Sequence, residues 1–399
     1  MALTLSKKAM AVKPSSTLAI TAKAKEMKSK GIDVVGFGAG EPDFNTPDNI
    51  CEAAIKAIES GFTKYTPVPG TLELRKAICD KFRKFNNLSY EPEQIVVSNG
   101  GKHALTNIFS AILNPGDEVI IPSPYWLSYP EIVRLADGIP VYIRAEKSQN
   151  YKITAKQLED ACTDKTKALV LNTPNNPSGM IYTREELEAI AQVAVEKDFY
   201  VVADEMYEHL IYDGETHVSI ASLNEEIYRR TITCSGLSKS YSMTGWRIGY
   251  TGSTKEVAKL MSSVQSHQAS NPNSIAQKAA YEALIGPQDS ISSMKNEFEK
   301  RLNYMVERIE AMNHISLLKP QGAFYLFVDV GNTFSKTYKG QPVDNVDNLA
   351  RILIEDYKVA VISCGDFGFD DHIRLSYAIS LVEIKKGLDR IEAFLKDIS

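Results

Sequence analysis

The run Ser235–Tyr250, SGLSKSYSMTGWRIGY, places Lys239 on a Ser/Gly-rich loop and Arg247 eight residues later in a second small-residue turn. A lysine amine forms an imine with a carbonyl compound, and a nearby arginine holds a phosphate through two parallel N–H donors. Other residues able to do chemistry follow apolar runs. Asp204 ends FYVVAD, where a buried anion needs a cationic partner such as a protonated pyridine nitrogen. Tyr207, three residues on, and Asn176 in LNTPNNPSG can hydrogen-bond a phenolic oxygen on the same ring. NGGKHAL (99–105) is a strand-to-helix turn whose free amides suit a phosphate, and Trp126 in PSPYWLSYP can stack on a planar ring. Each residue alone also has an ordinary structural use: a solvated lysine, a turn aspartate, a packed tyrosine, a routine NPSG turn, a core aromatic. A ligand that is both an aldehyde and a phosphate ester would use Lys239 and Arg247 together, and pyridoxal 5'-phosphate is the common cofactor of that description.

Positioning these residues requires a sheet. Short apolar runs at 94–99, 118–123, 140–145, 167–173, 199–205, 229–236 and 247–252 alternate with amphipathic stretches such as TREELEAIAQVAVEKD (183–198), which opens on a Thr cap and an acidic turn. That alternation predicts an α/β fold with a mostly parallel sheet covered on both faces. Ligand sites in such sheets collect at the carboxyl ends of the strands, where Gly101–Lys102, Trp126, Asn176, Asp204 and Lys239 all fall. From about residue 290 the character changes. A long charged helix (293–312) leads to strands at 323–330, 358–363 and 373–378, a helix at 345–357 and a C-terminal helix. The expected division is a large cofactor-binding domain over 48–290. A smaller α+β domain would be made of 1–47, with a helix at 17–30, and 291–399.

A chain of 399 residues favours two domains over one core. Its net charge of −5 gives no electrostatic attraction to nucleic acid or anionic membrane. No apolar stretch approaches the ~18 residues of a membrane span, and the N-terminal MALTLSKKAMAVKPSST has no sustained apolar region of a secretory signal. The five cysteines are scattered, without CxxC pairs or Cys/His metal spacing, so no metal is expected and a reducing, cytoplasmic setting is inferred.

GAGEPDF (38–44), KYTPVPG (64–70), NGGK, SPYW, NNPSG, DEMYEHL (204–210), the lysine run and IRLSYA (373–378) occur in this order. Together they resemble the class I/II pyridoxal-phosphate aminotransferases of fold type I, in the bacterial aspartate aminotransferase branch, over nearly the whole chain. The resemblance implies that Lys239 is the Schiff-base lysine and proton shuttle, Asp204 the pyridinium partner, and Asn176 and Tyr207 the ligands of the phenolic oxygen. It implies Trp126 as the stacking aromatic, and Arg247 with the Gly101 and Lys102 amides as the phosphate cradle. Arg374 would clamp the substrate α-carboxylate with a backbone contact from Gly40. Tyr65 would reach the phosphate of a neighbouring subunit, implying a homodimer with shared sites. Lys13, Ser15, Thr17 and Lys102 would recognise a distal carboxylate.

Transamination between aspartate or glutamate and 2-oxoglutarate or oxaloacetate, by a ping-pong route and with prephenate as a possible additional keto acid, is the implied activity. An aromatic or alanine aminotransferase and a fold type I lyase are the rivals, since one fold hosts many chemistries. A decarboxylase fits poorly with a clamped carboxylate. No basic segment suggests a DNA-binding regulator, and no G-x-G-x-x-G follows an early strand as in a dehydrogenase. Two departures from the family pattern stand out. Gly236 stands where the family often has a phosphate-binding serine, so that either Ser238 substitutes or the hydroxyl is absent, and Ser363-Cys364-Gly365-Asp366-Phe367 replaces the usual PG-x-x-F turn.

Overall fold

The structure is a computed structural model and describes residues 3–399. Seven strands form one sheet: β1 (Ile95–Ser98), β2 (Glu118–Ser123), β3 (Ile139–Arg144), β4 (Thr166–Asn172), β5 (Tyr200–Asp204), β6 (Thr231–Gly236) and β7 (Gly249–Gly252). Their order is β1-β7-β6-β5-β4-β2-β3, and within this sheet β7 alone runs against its neighbours. The expected α/β class with a mostly parallel sheet is therefore the observed one. In β4, Ala168 and Val170 pack with the helix Gly101–Ile112, while Leu169 and Leu171 pack with the helix Arg184–Glu196 on the other face. This period-two alternation buries both faces, which is why the central strands read as continuous apolar runs. Thr183 and Glu186 form the expected capping box at the start of the second of these helices.

A second, antiparallel sheet follows: β8 (Ser316–Leu317), β9 (Tyr325–Asp329), β10 (Ile362–Ser363) and β11 (His372–Ser376), in the order β10-β11-β9-β8. The helix Asp289–Glu310 lays Met294, Phe298, Leu302, Met305 and Ile309 into the core of this sheet at helical spacing. Two boundaries differ from the sequence reading. The run 358–363 is not one strand. Val359–Ala360 pairs in parallel with Val35–Gly36, whereas Ile362–Ser363 pairs with β11, so the chain changes partner at Val361. The strand expected from Arg247 begins at Gly249, because Thr244–Trp246 forms a 3-10 turn and Arg247 sits in the left-handed region at φ 57°. No described helix is long and apolar enough to cross a membrane.

Candidate active site

β1, β2, β4, β5 and β6 point the same way, and the loops after them surround a cavity of about 590 Å³. Gly101 and Lys102 enter from β1, Trp126 and Tyr129 from β2, Asn176 from β4, Asp204 and Tyr207 from β5, and Ser238 and Lys239 from β6. The opposite wall comes from Gly40 and Glu41, from Thr17 and Ser15 at the start of the helix Ser16–Ser29, and from Tyr325 and Arg374 of the antiparallel sheet. Arg247 completes it.

Lys239 Nζ donates to the Gly40 carbonyl. Burial pushes this amine down to about 8, with the Arg374 and Arg247 cations acting in the same direction. A large neutral fraction at pH 8 is what a nucleophile and proton acceptor requires. Asp204 is also buried, and burial lifts its carboxyl to about 6 against the hydrogen bonds that favour the anion. Those bonds come from the Tyr129 hydroxyl at 2.6 Å to Oδ2 and the Met206 amide at 3.2 Å to Oδ1. Tyr129 was missed in the sequence. It belongs to the helix Ser128–Leu135, where it reads as one more core residue, and it packs edge-on to Trp126 with ring centroids 5.4 Å apart.

Arg374 is 2% exposed. Its Nη1 donates to Asn176 Oδ1 at 3.0 Å, its guanidinium carbon lies 4.2 Å from the Tyr325 ring centroid, and its buried Nε has no partner. The Tyr325 hydroxyl pairs with that of Tyr207 at 3.0 Å. Tyr325 therefore touches both the arginine and the tyrosine, and it too carried no signal in the sequence. Lys102 Nζ stands 5.0 Å from the Trp126 ring centroid, and burial with the Arg247 cation holds its amine below the ordinary lysine range. A Cβ on Gly100, itself at φ 87°, would lie 2.2 Å from Arg247 Nη2, so glycine is what admits the guanidinium to the start of the helix Gly101–Ile112.

Two residues singled out in the sequence stand apart from the cavity, and a third lines it with its hydroxyl engaged elsewhere. Tyr65 does not line the cavity and is 89% exposed. Lys13 does not line it either; its backbone amide donates to Glu131 at 3.1 Å. Ser15 lines the cavity, but its hydroxyl caps the helix by accepting from the Leu18 amide. The two departures have packing reasons. A Cβ at Gly236 would meet the Ile248 carbonyl at 3.0 Å and Met206 Cε at 3.1 Å, so the space of a serine side chain is filled by Met206, and Ser238 lines the cavity. The 363–367 loop forms a 3-10 turn whose buried Phe367 lies 5.4 Å from the Arg374 guanidinium carbon.

The family model for aminotransferase class I and II matches residues 32–391. An aspartate aminotransferase of Bacillus sp. strain YM-2 is 52% identical over 96% of this chain and 97% of its own length. An aspartate/prephenate aminotransferase of Cereibacter sphaeroides is 44% identical over 97% of this chain and 98% of its own. The solved structure of Thermus thermophilus aspartate aminotransferase with maleate superposes with a TM-score of 0.93 at 42% identity, covering 98% of this chain and all of that one. The architecture is thus that of fold type I enzymes, and this chain belongs to the class I and II aminotransferases.

Proposed function

We propose that the chain transfers an amino group between aspartate or glutamate and 2-oxoglutarate or oxaloacetate by a ping-pong route, with pyridoxal 5'-phosphate held in the cavity. The observation that carries this reading is that one cavity has Lys239, Asp204, Arg247 and Arg374 on its walls. Three features fit the cofactor. Asp204 is a buried acid with two donors and no cation bonded to it, the setting in which a pyridinium is a favourable partner. The Gly100–Gly101 turn, with free helix amides beside Arg247, suits a phosphate, and Ser238 adds a hydroxyl. Trp126 offers an aromatic face and Tyr207 and Asn176 polar atoms for the ring's edge.

When bound, the cofactor supplies an electron sink that acidifies the substrate Cα–H. The chain does the rest. Lys239 would hold the cofactor through its aldehyde, and its Nζ would take the proton from the substrate Cα, its lowered proton affinity keeping the neutral amine populated. Arg374 receives the α-carboxylate through its free Nε and a terminal nitrogen, which fixes Cα over Lys239, and Gly40 borders the same space. Lys102 and Thr17, whose buried Oγ1 has no partner, favour a second carboxylate, with Lys13 and Ser15 assigned to the same task at the rim. The Thermus aspartate aminotransferase solved with maleate, a C4 dicarboxylate, supports that specificity, and the Cereibacter aspartate/prephenate aminotransferase supports prephenate as an additional acceptor.

We further assign the units 48–290 and 1–47 with 291–399, the first two residues of the chain lying outside the described ones. The seven-stranded sheet lies inside the first, and Val35–Gly36 pairs with Val359–Ala360 inside the second. A homodimer in which Tyr65 serves the partner's phosphate is supported by the exposure of Tyr65 together with Ile55, Ile58 and Leu72. Five free cysteines fit a cytoplasmic setting. The test is Lys239→Ala, which loses the absorbance of the lysine-bound cofactor and nearly all turnover; retained turnover would overturn the assignment.

A further inference from the structure

The turn Asp204–Glu208 faces two ways. Asp204 and Tyr207 line the cavity, whereas Glu205 and Glu208 take their partners from the helix Leu72–Asn86, β6 and His217. Glu208 takes the Lys81 ammonium, the Asn86 amide at 2.6 Å and the Ser235 hydroxyl at 2.5 Å. Glu205 Oε2 accepts from the Asn86 amide at 2.9 Å, and its Oε1 has no hydrogen-bond partner. His217 Nε2 lies 3.0 Å from Glu205 Oε2, and the two side chains are 6% and 0% exposed. Neither ring nitrogen makes a properly angled hydrogen bond. Two carboxylates against one ammonium leave this cluster one positive charge short, and a buried uncompensated charge is strongly unfavourable. The donor atoms of Glu205, Glu208 and His217 lie within 4.8 Å of one another, a spacing a metal ion could bridge. However, the Lys81 ammonium already contacts Glu208, and the Asn86 amide already occupies an oxygen of each carboxylate, so a divalent ion would meet an adjacent cation and used lone pairs. The imidazole is the remaining source of charge.

We propose that His217 is held as an imidazolium that balances the Lys81–Glu208–Glu205 cluster, and that it is a positioning residue for the turn presenting Asp204 and Tyr207. Burial pushes the His217 ring down, but the facing Glu205 and Glu208 carboxylates outweigh it and the net shift is upward, with Lys81 opposing. His209, the other ring facing Glu208 and Lys81, is pushed down to about 4 by burial and stays neutral. Glu205 also acts directly on Asp204, raising its proton affinity, so the balance of the cluster reaches the cavity electrostatically as well as mechanically. Through Ser235, four residues before Lys239, the same cluster holds the strand leading to the lysine loop.

This inference rests on the roles given above to Asp204 and Tyr207, and its test separates the two. Histidine-selective NMR of the holoenzyme, with His217→Gln for assignment, reads the charge of His217 directly. A doubly protonated ring at pH 7.5, with a midpoint lowered by about one pH unit or more in Glu205→Gln, is expected; a neutral ring at pH 7.5 overturns the proposal. Binding of pyridoxamine 5'-phosphate to the ligand-free protein reads the positioning. His217→Gln weakens it about tenfold or more, and Glu205→Gln/His217→Gln restores most of the loss, because removing both charges rebalances the cluster. A double variant no better than His217→Gln also overturns it. Asp204→Asn reports separately: unchanged binding there sinks the role of Asp204 while the His217 titration still stands.

Discussion

Replacing Tyr129 by Phe removes one hydroxyl and leaves the ring that packs on Trp126 in place. Its consequence follows from the charge of Asp204. In the ligand-free protein burial holds this carboxyl near 6, above its ordinary 3.8, with the Tyr129 hydroxyl the first of the groups that oppose burial. A hydrogen bond to a charged group contributes about 1.5–3 kcal/mol. At 1.36 kcal/mol per pH unit, its loss lifts the Asp204 midpoint by about one to two units, to about 7–8. The sign is fixed: protonation of a raised acid stabilises the fold fully below 3.8, and that contribution is lost as pH rises through the folded midpoint near 6. A cationic ring nitrogen binds the anion, so affinity increases with pH up to that midpoint and then levels off. The assay is titration of ligand-free protein with pyridoxamine 5'-phosphate from pH 5 to 9, followed by fluorescence. This ligand lacks the aldehyde, which keeps Lys239 imine chemistry out of the measurement, and the ionisation of its phosphate is common to both proteins. The break moves up by about one to two units in Tyr129→Phe. A break that stays in place, or moves down, refutes the view that Tyr129 holds Asp204 in its charged form.

Three shorter predictions follow. Arg374→Lys keeps the charge but loses the fork and the stacking on Tyr325, so kcat/KM for aspartate falls by about 10²–10³, from one charge-assisted hydrogen bond and one buried cation–π contact; a loss under tenfold contradicts the clamp. Gly236→Ala pushes a methyl against the Ile248 carbonyl and Met206, costing about 1–3 kcal/mol in chemical denaturation, and adding Met206→Ala recovers part of it. In ligand-free protein, the reactivity of Lys239 toward an acylating reagent has its midpoint near pH 8 and moves upward in Arg374→Ala, which removes a nearby cation.

The strand ends are readable in the sequence because the central apolar runs are buried on both faces and are followed at once by a turn motif. That pattern alone puts Gly101, Trp126, Asn176, Asp204 and Lys239 at one edge of the sheet, and they line one cavity. Residues that act through long-range contacts were illegible. Tyr129 and Asp204 are 75 positions apart, and Lys81 and Glu208 are 127 apart, so neither pair leaves a local spacing to detect. The change of partner at Val361 was hidden for another reason: both half-strands are equally apolar, and only the presence of Val35–Gly36 beside the first of them divides the run. Lys13 and Ser15 show the reverse case, where a motif suggested side-chain chemistry and the visible contacts are a backbone hydrogen bond and a helix cap.

The central claim is transamination of dicarboxylic amino acids through Lys239. It is tested most directly by mixing the cofactor-loaded enzyme with one amino acid at a time, without an acceptor, and following both the cofactor absorbance and the oxo acid released. Aspartate and glutamate are expected to convert the cofactor to its amine form with one equivalent of oxaloacetate or 2-oxoglutarate per site, well ahead of alanine and phenylalanine. Faster conversion by alanine or phenylalanine, or loss of carbon dioxide in place of oxo acid formation, would contradict the account.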